Sequence, residues 1–332
     1  MSEPTLDVLA IGNAIVDILG RCDDALLAKH GAPKGHMRLV DGRTVDDLRA
    51  ELTNPVEISG GSAANTVVGV ASFGGKAGFI GKVANDDLGA VFTRDIRAAG
   101  VSFHSSPANS KQPTARSLIL VTPDGQRTMN TCLGISPELG AAELDDQMIR
   151  SARVVYLEGY LYDQPAAMAA FKHAATVAKA AGREVALTLS DGFCVDRHRA
   201  EFLELIKTSV SILFANEAEI TSLYQTASFD EAVARVRRDA KLAVVTRSEK
   251  GATLVHGSDP VIHVDAAAVA QVVDTTGAGD LYAAGFLYGY TRGLGLETAG
   301  RLGSLAAAEV ISHLGARPAQ PLAALARAKG LQ

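Results

Sequence analysis

The sequence predicts an α/β protein in which helices cover both faces of a mainly parallel sheet. Short apolar runs alternate with helical patterns along most of the chain, and glycines mark the turns between them. Strands that alternate with helices pair in parallel, because each helix carries the chain back across the sheet. One segment, Thr114–Leu133, is strand-like throughout and has no helix to cover it, which indicates a second, smaller sheet.

The predicted elements follow one another in a regular order, with a further extended segment beginning at Val101. Strands are expected at Val8–Leu19, Ala77–Val83, Val154–Leu157, Val185–Leu189, Ile212–Phe214, Leu242–Thr246 and Gln271–Val273. Helices are expected at Ser62–Phe73, Asp86–Ala99, Pro165–Ala181, Glu217–Tyr224, Asp230–Asp239, Leu281–Gly289 and around Glu297–His313.

The segment without a helix is expected to form a lid over the α/β body. Thr114–Leu133 has a turn at Pro123-Asp124-Gly125, and it can pair with Val8–Leu19 and Met37–Val40. The lid then spans about residues 13–41 and 103–133 of a single domain, residues 1–332. An accessory sheet of this kind can keep water away from a reactive phosphate.

Composition excludes several classes of protein. The chain has 332 residues, of which 47% are hydrophobic and 21% charged, so it can bury a large core. Lysine and arginine number 32 against 37 aspartates and glutamates, and the net charge of −5 argues against nucleic-acid or anionic membrane partners. The three cysteines are far apart and form no C-x-x-C pair, which argues against zinc or a disulfide framework. No apolar run is long enough to cross a bilayer and the N-terminus is acidic, so a cytoplasmic location is expected.

The most informative motif is Asp274-Thr275-Thr276-Gly277-Ala278-Gly279-Asp280, between an apolar run and a helix of small residues. A helix start leaves backbone N–H groups unpaired and carries partial positive charge, so it favours an anion. A carboxylate beside an anion site is repulsive unless it has a task, and Asp280 could take the proton from an attacking hydroxyl. An N-terminal helix cap with glycines in a tight turn is an equally good interpretation of this segment alone.

Two further segments combine polar side chains with close backbone approach. In Ser59–Thr66 a glycine pair opens a helix, and Asn65 in its first turns offers both a donor and an acceptor to vicinal hydroxyls. In Gly12–Asp17 the side chains of Asn13 and Asp17 leave the same face of an extended chain. The alternatives are a glycine loop capped by a serine and a strand-end aspartate bonded to local backbone.

These residues resemble the ribokinase-like (PfkB) carbohydrate kinase family along nearly the whole chain. Gly60-Gly61-Ser62-Ala63-Ala64-Asn65-Thr66 matches its N-terminal signature, and the segment from Asp274 to Asp280 matches its C-terminal one. The resemblance implies a three-layer α/β/α body with a β-sheet lid. It also implies transfer of the ATP γ-phosphate to a primary hydroxyl with Mg²⁺, by a monomer or a homodimer.

The resemblance assigns roles to individual positions. Asp280 would be the general base, and Gly277, Ala278 and Gly279 would form the anion hole. The substrate hydroxyls would be held by Asn13, Asp17, Gly60, Gly61 and Asn65.

The ATP side is assigned in the same way. Asn216 and Glu219 match the N-x-x-E motif of the Mg²⁺ and phosphate region, although the same pair also fits a helix capping box. Thr246 and Gly251 lie in the segment that approaches ATP, where Ser248 replaces the glycine of many members. That segment also fits a polar hairpin turn. Asp274 and Thr276 are the candidate residues for a K⁺ site.

Within this family the chain resembles adenosine kinases most. Tyr160 stands where an aromatic ring stacks on the purine, and Leu39 and Leu133 stand at apolar lid positions. A purine needs flat apolar walls, whereas a hexose needs many polar partners. The alternative is that these three side chains simply fill the core between lid and body. Arg127 could meet a phosphate on lid closure, but a solvated turn residue is the favoured interpretation.

Three functions therefore follow from the sequence. The first is an ATP-dependent kinase that converts adenosine or another purine nucleoside to its 5′-monophosphate. The second is a sugar kinase acting on ribose, fructose or a 2-keto-3-deoxy sugar acid. The third is a non-catalytic sensor that binds a nucleotide or nucleoside, against which the intact Asp280 counts.

Overall fold

The computed structural model describes residues 3–331, in which strands and helices alternate as predicted. The strands are β1 (Leu6–Ile11), β2 (Ile15–Arg21), β3 (Met37–Leu39), β4 (Val56–Gly60), β5 (Ala77–Ile80), β6 (Val101–Phe103), β7 (Ala115–Val121), β8 (Arg127–Cys132), β9 (Ala152–Glu158), β10 (Glu184–Thr188), β11 (Ile212–Asn216), β12 (Leu242–Thr246), β13 (Ala252–His256) and β14 (Ile262–Val264). The helices are α1 (Asp24–Lys29), α2 (Gly42–Ala50), α3 (Ser62–Ser72), α4 (Asp87–Ala98), α5 (Asp146–Ser151), α6 (Pro165–Ala180), α7 (Gly192–Thr208), α8 (Glu217–Leu223), α9 (Phe229–Asp239), α10 (Ala278–Thr291), α11 (Leu296–Val310) and α12 (Leu322–Ala328).

Nine strands form the large sheet, in the order β14-β13-β12-β11-β10-β9-β1-β5-β6. The neighbours from β12 to β6 pair in parallel, and only β13 and β14 add antiparallel pairs at one edge. Parallel strands end at the same edge of a sheet, so the polar residues that follow β9, β10, β11 and β12 are brought side by side.

Helices cover both faces of the large sheet, as the sequence predicts. Alternate residues of β1 enter different clusters, with Val8 and Ala10 in one hydrophobic core and Leu9 and Ile11 in the other. The first core contains residues from α3, α4, α10, α11 and α12, whereas the second contains residues from α5 to α9. The predicted three-layer α/β/α body is therefore confirmed.

The smaller sheet has the order β3-β8-β7-β2-β4 and forms the predicted lid. Strands β7 and β8 are the antiparallel arms of the segment that lacks a helix, and β2 and β3 come from the other segments expected to join it. Strand β4 also belongs to this sheet, although it lies outside the predicted lid segments. The predicted single domain includes Met1, Ser2 and Gln332, which lie outside the described residues.

Two predicted strands are wrong in detail. Val8–Leu19 is not one strand, because the chain leaves the large sheet after Ile11 and enters the smaller sheet at Ile15. Gln271–Val273 is not a strand, since the valines find no strand partner and Val272 remains 57% exposed. Its apolar side chain lines an open cleft, so the hydrophobicity of this segment does not reflect burial in a sheet.

Close contact between α10 and α11 gives a test of this packing. A β-carbon at Gly285 would lie 2.3 Å from the carbonyl oxygen of Leu302, and backbone cannot yield cheaply. We expect Gly285→Ala to cost about 2 kcal/mol or more and to lower Tm by roughly 3 °C or more. Differential scanning calorimetry measures the change. Gly192→Ala is the matched control, because a β-carbon there meets nothing within 4 Å; equal Tm values for the two variants would contradict the packing argument.

Candidate active site

An open cleft of about 1260 Å³ lies between the smaller sheet and the carboxyl ends of the parallel strands. Residues of β2, β3, β7 and β8 line one side, and the ends of β9, β10, β11 and β12 line the other. Sites for one small ligand typically occupy roughly 300–1,000 Å³, so this cleft has room for two. Every residue assigned to the substrate or to ATP lines it, except Gly60.

Asp280 lies in the first turn of α10 and faces this cleft. Ser62 donates its hydroxyl hydrogen to Asp280 Oδ1 over 2.6 Å, and the Asn65 side-chain amide donates to Oδ2 over 2.9 Å. Burial raises the pKa of Asp280, while these two hydrogen bonds lower it. The carboxyl group is held by neutral donors rather than by a salt bridge, which suits a group that must accept a proton.

The loop before α10 offers unpaired amides to an anion. Gly277 has the left-handed backbone that favours glycine, with φ of 77°. Its amide and that of Gly279 donate to no acceptor among residues 3–331, whereas the Ala278 amide donates to the Thr275 carbonyl over 3.2 Å. Two of the three predicted anion-hole amides are thus free to bind a ligand, at the positive end of a helix.

Gly60 and Gly61 leave room for Asp17 and for the backbone of Asn13, on the side of the cleft assigned to the substrate hydroxyls. A β-carbon at Gly60 would lie 2.2 Å from Asp17 Oδ2, and one at Gly61 would lie 2.3 Å from the Asn13 carbonyl oxygen. Burial raises the pKa of Asp17 to about 7, although the positive charge of Arg317 opposes that rise. Asn65 is buried, and its side-chain oxygen has no hydrogen-bond partner among the described residues. The side-chain oxygen of Asn65 is therefore a free hydrogen-bond acceptor beside Asp280.

Asn13 is bound by the protein on both ends of its side chain. Its Nδ2 donates to Glu158 Oε1 over 2.6 Å, and the Ser136 hydroxyl donates to its Oδ1 over 3.0 Å. Glu158 Oε2 also accepts the Ala63 amide over 2.8 Å, so one carboxylate joins the chain after β1 to the start of α3. Asn13 therefore helps to hold the chain after β1 against the start of α3, even though it also lines the cleft.

Sequence reasoning missed two charged residues that organise the site. Burial raises the pKa of Glu158 to about 7, and its signal in the sequence is an acid that closes an apolar strand. Arg317 donates to the carbonyl oxygens of Ser59 and Ala64, over 2.6 Å from Nη2 and 2.7 Å from Nη1. No pattern in the sequence points to this contact, since Ser59 lies 258 positions away.

On the ATP side, Asn216 and Glu219 form the capping box and also line the cleft, so both interpretations of this motif hold. Burial raises the pKa of Glu219 to about 7. No cluster of three acidic, histidine or cysteine side chains that could hold a metal exists within residues 3–331. Mg²⁺ carried on phosphates needs only one or two carboxylates, and Glu219 fits that requirement.

The segment after β12 holds Ser248 in a conformation that glycine adopts more readily. Ser248 has a φ of 52°, which is the left-handed conformation that favours glycine. The turn is kept with serine at that position, and Thr246 and Gly251 both line the cleft beside it. Ser248 itself also lines the cleft, and close backbone approach to ATP at this turn stays a prediction.

The favoured interpretation of Arg127 as a solvated turn residue is wrong. Its side chain is 12% exposed, pairs with the Asp274 carboxylate and donates to Thr276 Oγ1 over 2.7 Å. Asp274 Oδ1 also accepts the Thr276 amide over 2.6 Å, and Oδ2 accepts the Gly315 amide over 2.8 Å. The two candidate K⁺ residues, Asp274 and Thr276, thus lie together, and the guanidinium of Arg127 contacts both.

Apolar side chains line the acceptor end of the cleft instead of filling a core. Leu39 is 60% exposed and Tyr160 36%, and both line the cleft with Leu133. Two further side chains that the sequence did not single out join them: Met37, which is half-exposed, and Phe193, which is 77% exposed. Exposed apolar groups gathered at one cleft are typical of a binding surface for a flat apolar ligand.

The raised pKa of Asp17 predicts that the stability of the folded protein depends on pH. The folded state holds the Asp17 proton up to about pH 7, whereas the unfolded chain releases it near pH 3.8. Stability contributed by this group therefore falls as pH rises through that interval. We expect Asp17→Asn to raise Tm by about 2–4 °C at pH 8, because asparagine avoids burying the charge, and the difference to shrink at pH 5.

Thermal unfolding at both pH values measures this effect. Asp87→Asn is the control, because Asp87 is exposed in the first turn of α4. A Tm difference for Asp17→Asn that is the same at pH 5 and pH 8 would show that Asp17 is not a buried titrating group.

Comparison with known proteins identifies the family of this chain. A family model described as pfkB family carbohydrate kinase matches residues 36–323. The solved structure of an adenosine kinase from Sinorhizobium meliloti is 52% identical, with a TM-score of 0.90 over 98% of this chain and 99% of that one. A probable sugar kinase from Rhizobium etli is 49% identical, with a TM-score of 0.92 over 99% of this chain and 100% of that one.

A curated relative is named as a kinase of a sugar phosphate. An ATP-dependent ribose-1-phosphate kinase from Halopiger xanaduensis is 31% identical over 81% of this chain and 89% of its own length. No helix within residues 3–331 is both long and apolar enough to cross a membrane. The chain thus belongs to the pfkB family of carbohydrate kinases, which transfer a phosphoryl group to an alcohol.

Proposed function

We propose that this protein transfers the γ-phosphate of ATP to the 5′-hydroxyl of adenosine, giving AMP and ADP. The observation that carries the proposal is the position of Asp280. Its carboxyl group stands between free amides at the start of α10 and an acceptor pocket with both polar and apolar walls. We also propose a cytoplasmic location and a monomeric or homodimeric state, which remain predictions.

In the proposed reaction the acceptor hydroxyl loses its proton to Asp280 as its oxygen bonds to the γ-phosphorus. The bond from that phosphorus to the β,γ-bridging oxygen breaks, and its electron pair leaves with ADP. The amides of Gly277 and Gly279 stabilise charge on the phosphoryl oxygens, helped by the positive end of α10. Mg²⁺ bound with ATP would neutralise phosphate charge on the side where Glu219 lies.

The acceptor pocket suits a ribose attached to a flat ring. Asp17 and the unused oxygen of Asn65 can accept hydrogen bonds from sugar hydroxyls. Tyr160, Phe193 and Leu39 offer apolar surface beside them, which a purine would bury and a free hexose would not.

The opposite part of the cleft suits the adenine ring of ATP. Its lining residues are mostly small and apolar and come from the segment before α10 and from α11: Ala266, Ala267, Ala268, Val269, Val272, Ala307, Ala308 and Ile311. Such a surface accepts a flat ring of any nucleotide, so the choice of acceptor depends on the other end of the cleft.

A sugar kinase is the second candidate, because curated relatives include an ATP-dependent ribose-1-phosphate kinase. Asp17 and Asn65 would bind a free furanose equally well. The apolar groups at Leu39, Tyr160 and Phe193 favour the nucleoside, since a free sugar leaves them in water.

Replacement of Asp280 tests the proposed base. We expect Asp280→Asn to lower kcat by about 10²–10⁴-fold, since an amide cannot accept the proton, while the Kd for ATP changes little. Steady-state kinetics and isothermal titration calorimetry measure the two quantities, with Asp87→Asn as the control for loss of one negative charge. Turnover within threefold of the parent protein would exclude Asp280 as the base.

An acceptor screen with Mg-ATP tests the substrate. Adenosine, inosine, guanosine, ribose, fructose and 2-keto-3-deoxygluconate are compared, and adenosine is expected to give the highest kcat/KM. Tyr160→Ala should raise KM for adenosine about tenfold, because one aromatic contact is worth about 1.4 kcal/mol, and leave KM for ATP unchanged.

Val56→Ala is the control for the acceptor experiment, because Val56 is an exposed apolar residue of the smaller sheet that does not line the cleft. Efficient turnover of ribose or fructose that is indifferent to Tyr160→Ala would favour the sugar kinase. ATP binding without phosphotransfer to any acceptor would favour the sensor.

A further inference from the structure

Arg127 connects the smaller sheet to the loop that precedes α10. It is the first residue of β8, and its guanidinium contacts Asp274 and Thr276 of the phosphate-side loop, 149 positions from Thr276. Its side chain is 12% exposed and that of Asp274 only 1%. This buried contact therefore holds strand β8 of the smaller sheet against the loop before α10.

Three donors already contact the carboxylate of Asp274, and one of them is the charged guanidinium of Arg127. Oδ1 accepts the Thr276 amide and pairs with Arg127, and Oδ2 accepts the Gly315 amide. Thr276 Oγ1 in turn accepts from Arg127. A monovalent metal ion needs several oxygen atoms with free lone pairs. These oxygens already face hydrogen-bond donors and a positive charge, so the candidate K⁺ site does not fit a K⁺ ion here.

We propose that Arg127 serves as a built-in cation for Asp274, in place of a monovalent metal ion, and thereby fixes the loop that carries the free amides. Arginine suits this role because it stays charged even where burial lowers its pKa, and its planar fork reaches two acceptors together. Without the guanidinium, Asp274 would be a buried charge with only two amide donors, which is strongly destabilising.

The test compares K⁺, Na⁺ and choline chloride at equal ionic strength. For the parent protein we expect Tm to agree within about 1 °C among the three salts and the rate within about 1.5-fold. Arg127→Met keeps much of the side-chain volume and removes the charge, so Tm in choline should fall by about 5 °C. K⁺ should then restore part of that loss and raise the rate at least fivefold over choline.

Two further variants keep the test decisive. Arg21→Met removes an exposed arginine from the same sheet and should behave like the parent protein. The double variant Arg127→Met/Asp274→Asn removes both charges, so it should recover stability relative to Arg127→Met and lose the response to K⁺. If Arg127→Met does not fold, the double variant and Arg127→Lys, which keeps a cation, should still fold and remain indifferent to the salt.

Two results would overturn the inference. One is a parent protein whose Tm and rate are both raised by K⁺ over choline. The other is an Arg127→Met protein that folds and shows no specific response to K⁺ in Tm. The Tm measurements do not depend on the acceptor, so they decide this inference even if adenosine is not the substrate.

Discussion

The whole site depends on the close approach of two helix N-termini, those of α3 and α10. Asp280 at the start of α10 is held by Ser62 and Asn65 at the start of α3, more than 200 positions earlier in the sequence. The helices can meet because Gly69 has no side chain. A β-carbon at that position would lie only 2.5 Å from the β-carbon of Ala284. Small residues in both helices therefore have a structural purpose, which is to bring the acceptor loop to the base.

The site concentrates acids whose burial works against stability. Burial raises the pKa values of Asp17, Glu158 and Glu219 to about 7. Hydrogen bonds from backbone amides stabilise the charged forms of Glu158 and Glu219, and the charge of Arg317 acts on Asp17. A protein keeps such groups when binding or catalysis needs them.

The sequence was sufficient for the layers of the fold and for the loops that contain glycine pairs, because both leave local patterns. It was not sufficient for contacts between distant segments. Asn13 and Glu158 are 145 positions apart, and Arg127 and Thr276 are 149 apart, so only the strand order brings them together. The strand predicted at Gln271–Val273 was wrong for the opposite reason, since its local β pattern belongs to a segment without a strand partner, whose Val272 lines the cleft.

Charged and polar groups of the cleft are divided between the two halves of the proposed reaction. Asp17, Glu158 and Asp280 line the part of the cleft where the proposed reaction takes up a hydroxyl proton, and free amides lie at the start of α10, where negative charge must be tolerated. The two arginines lie behind these groups: Arg317 supports the acceptor loop and Arg127 the amide loop. These two guanidinium groups bind protein oxygens, so in the proposed reaction the charge of a phosphate near them would be met by the amides at the start of α10 and by the metal ion that ATP brings.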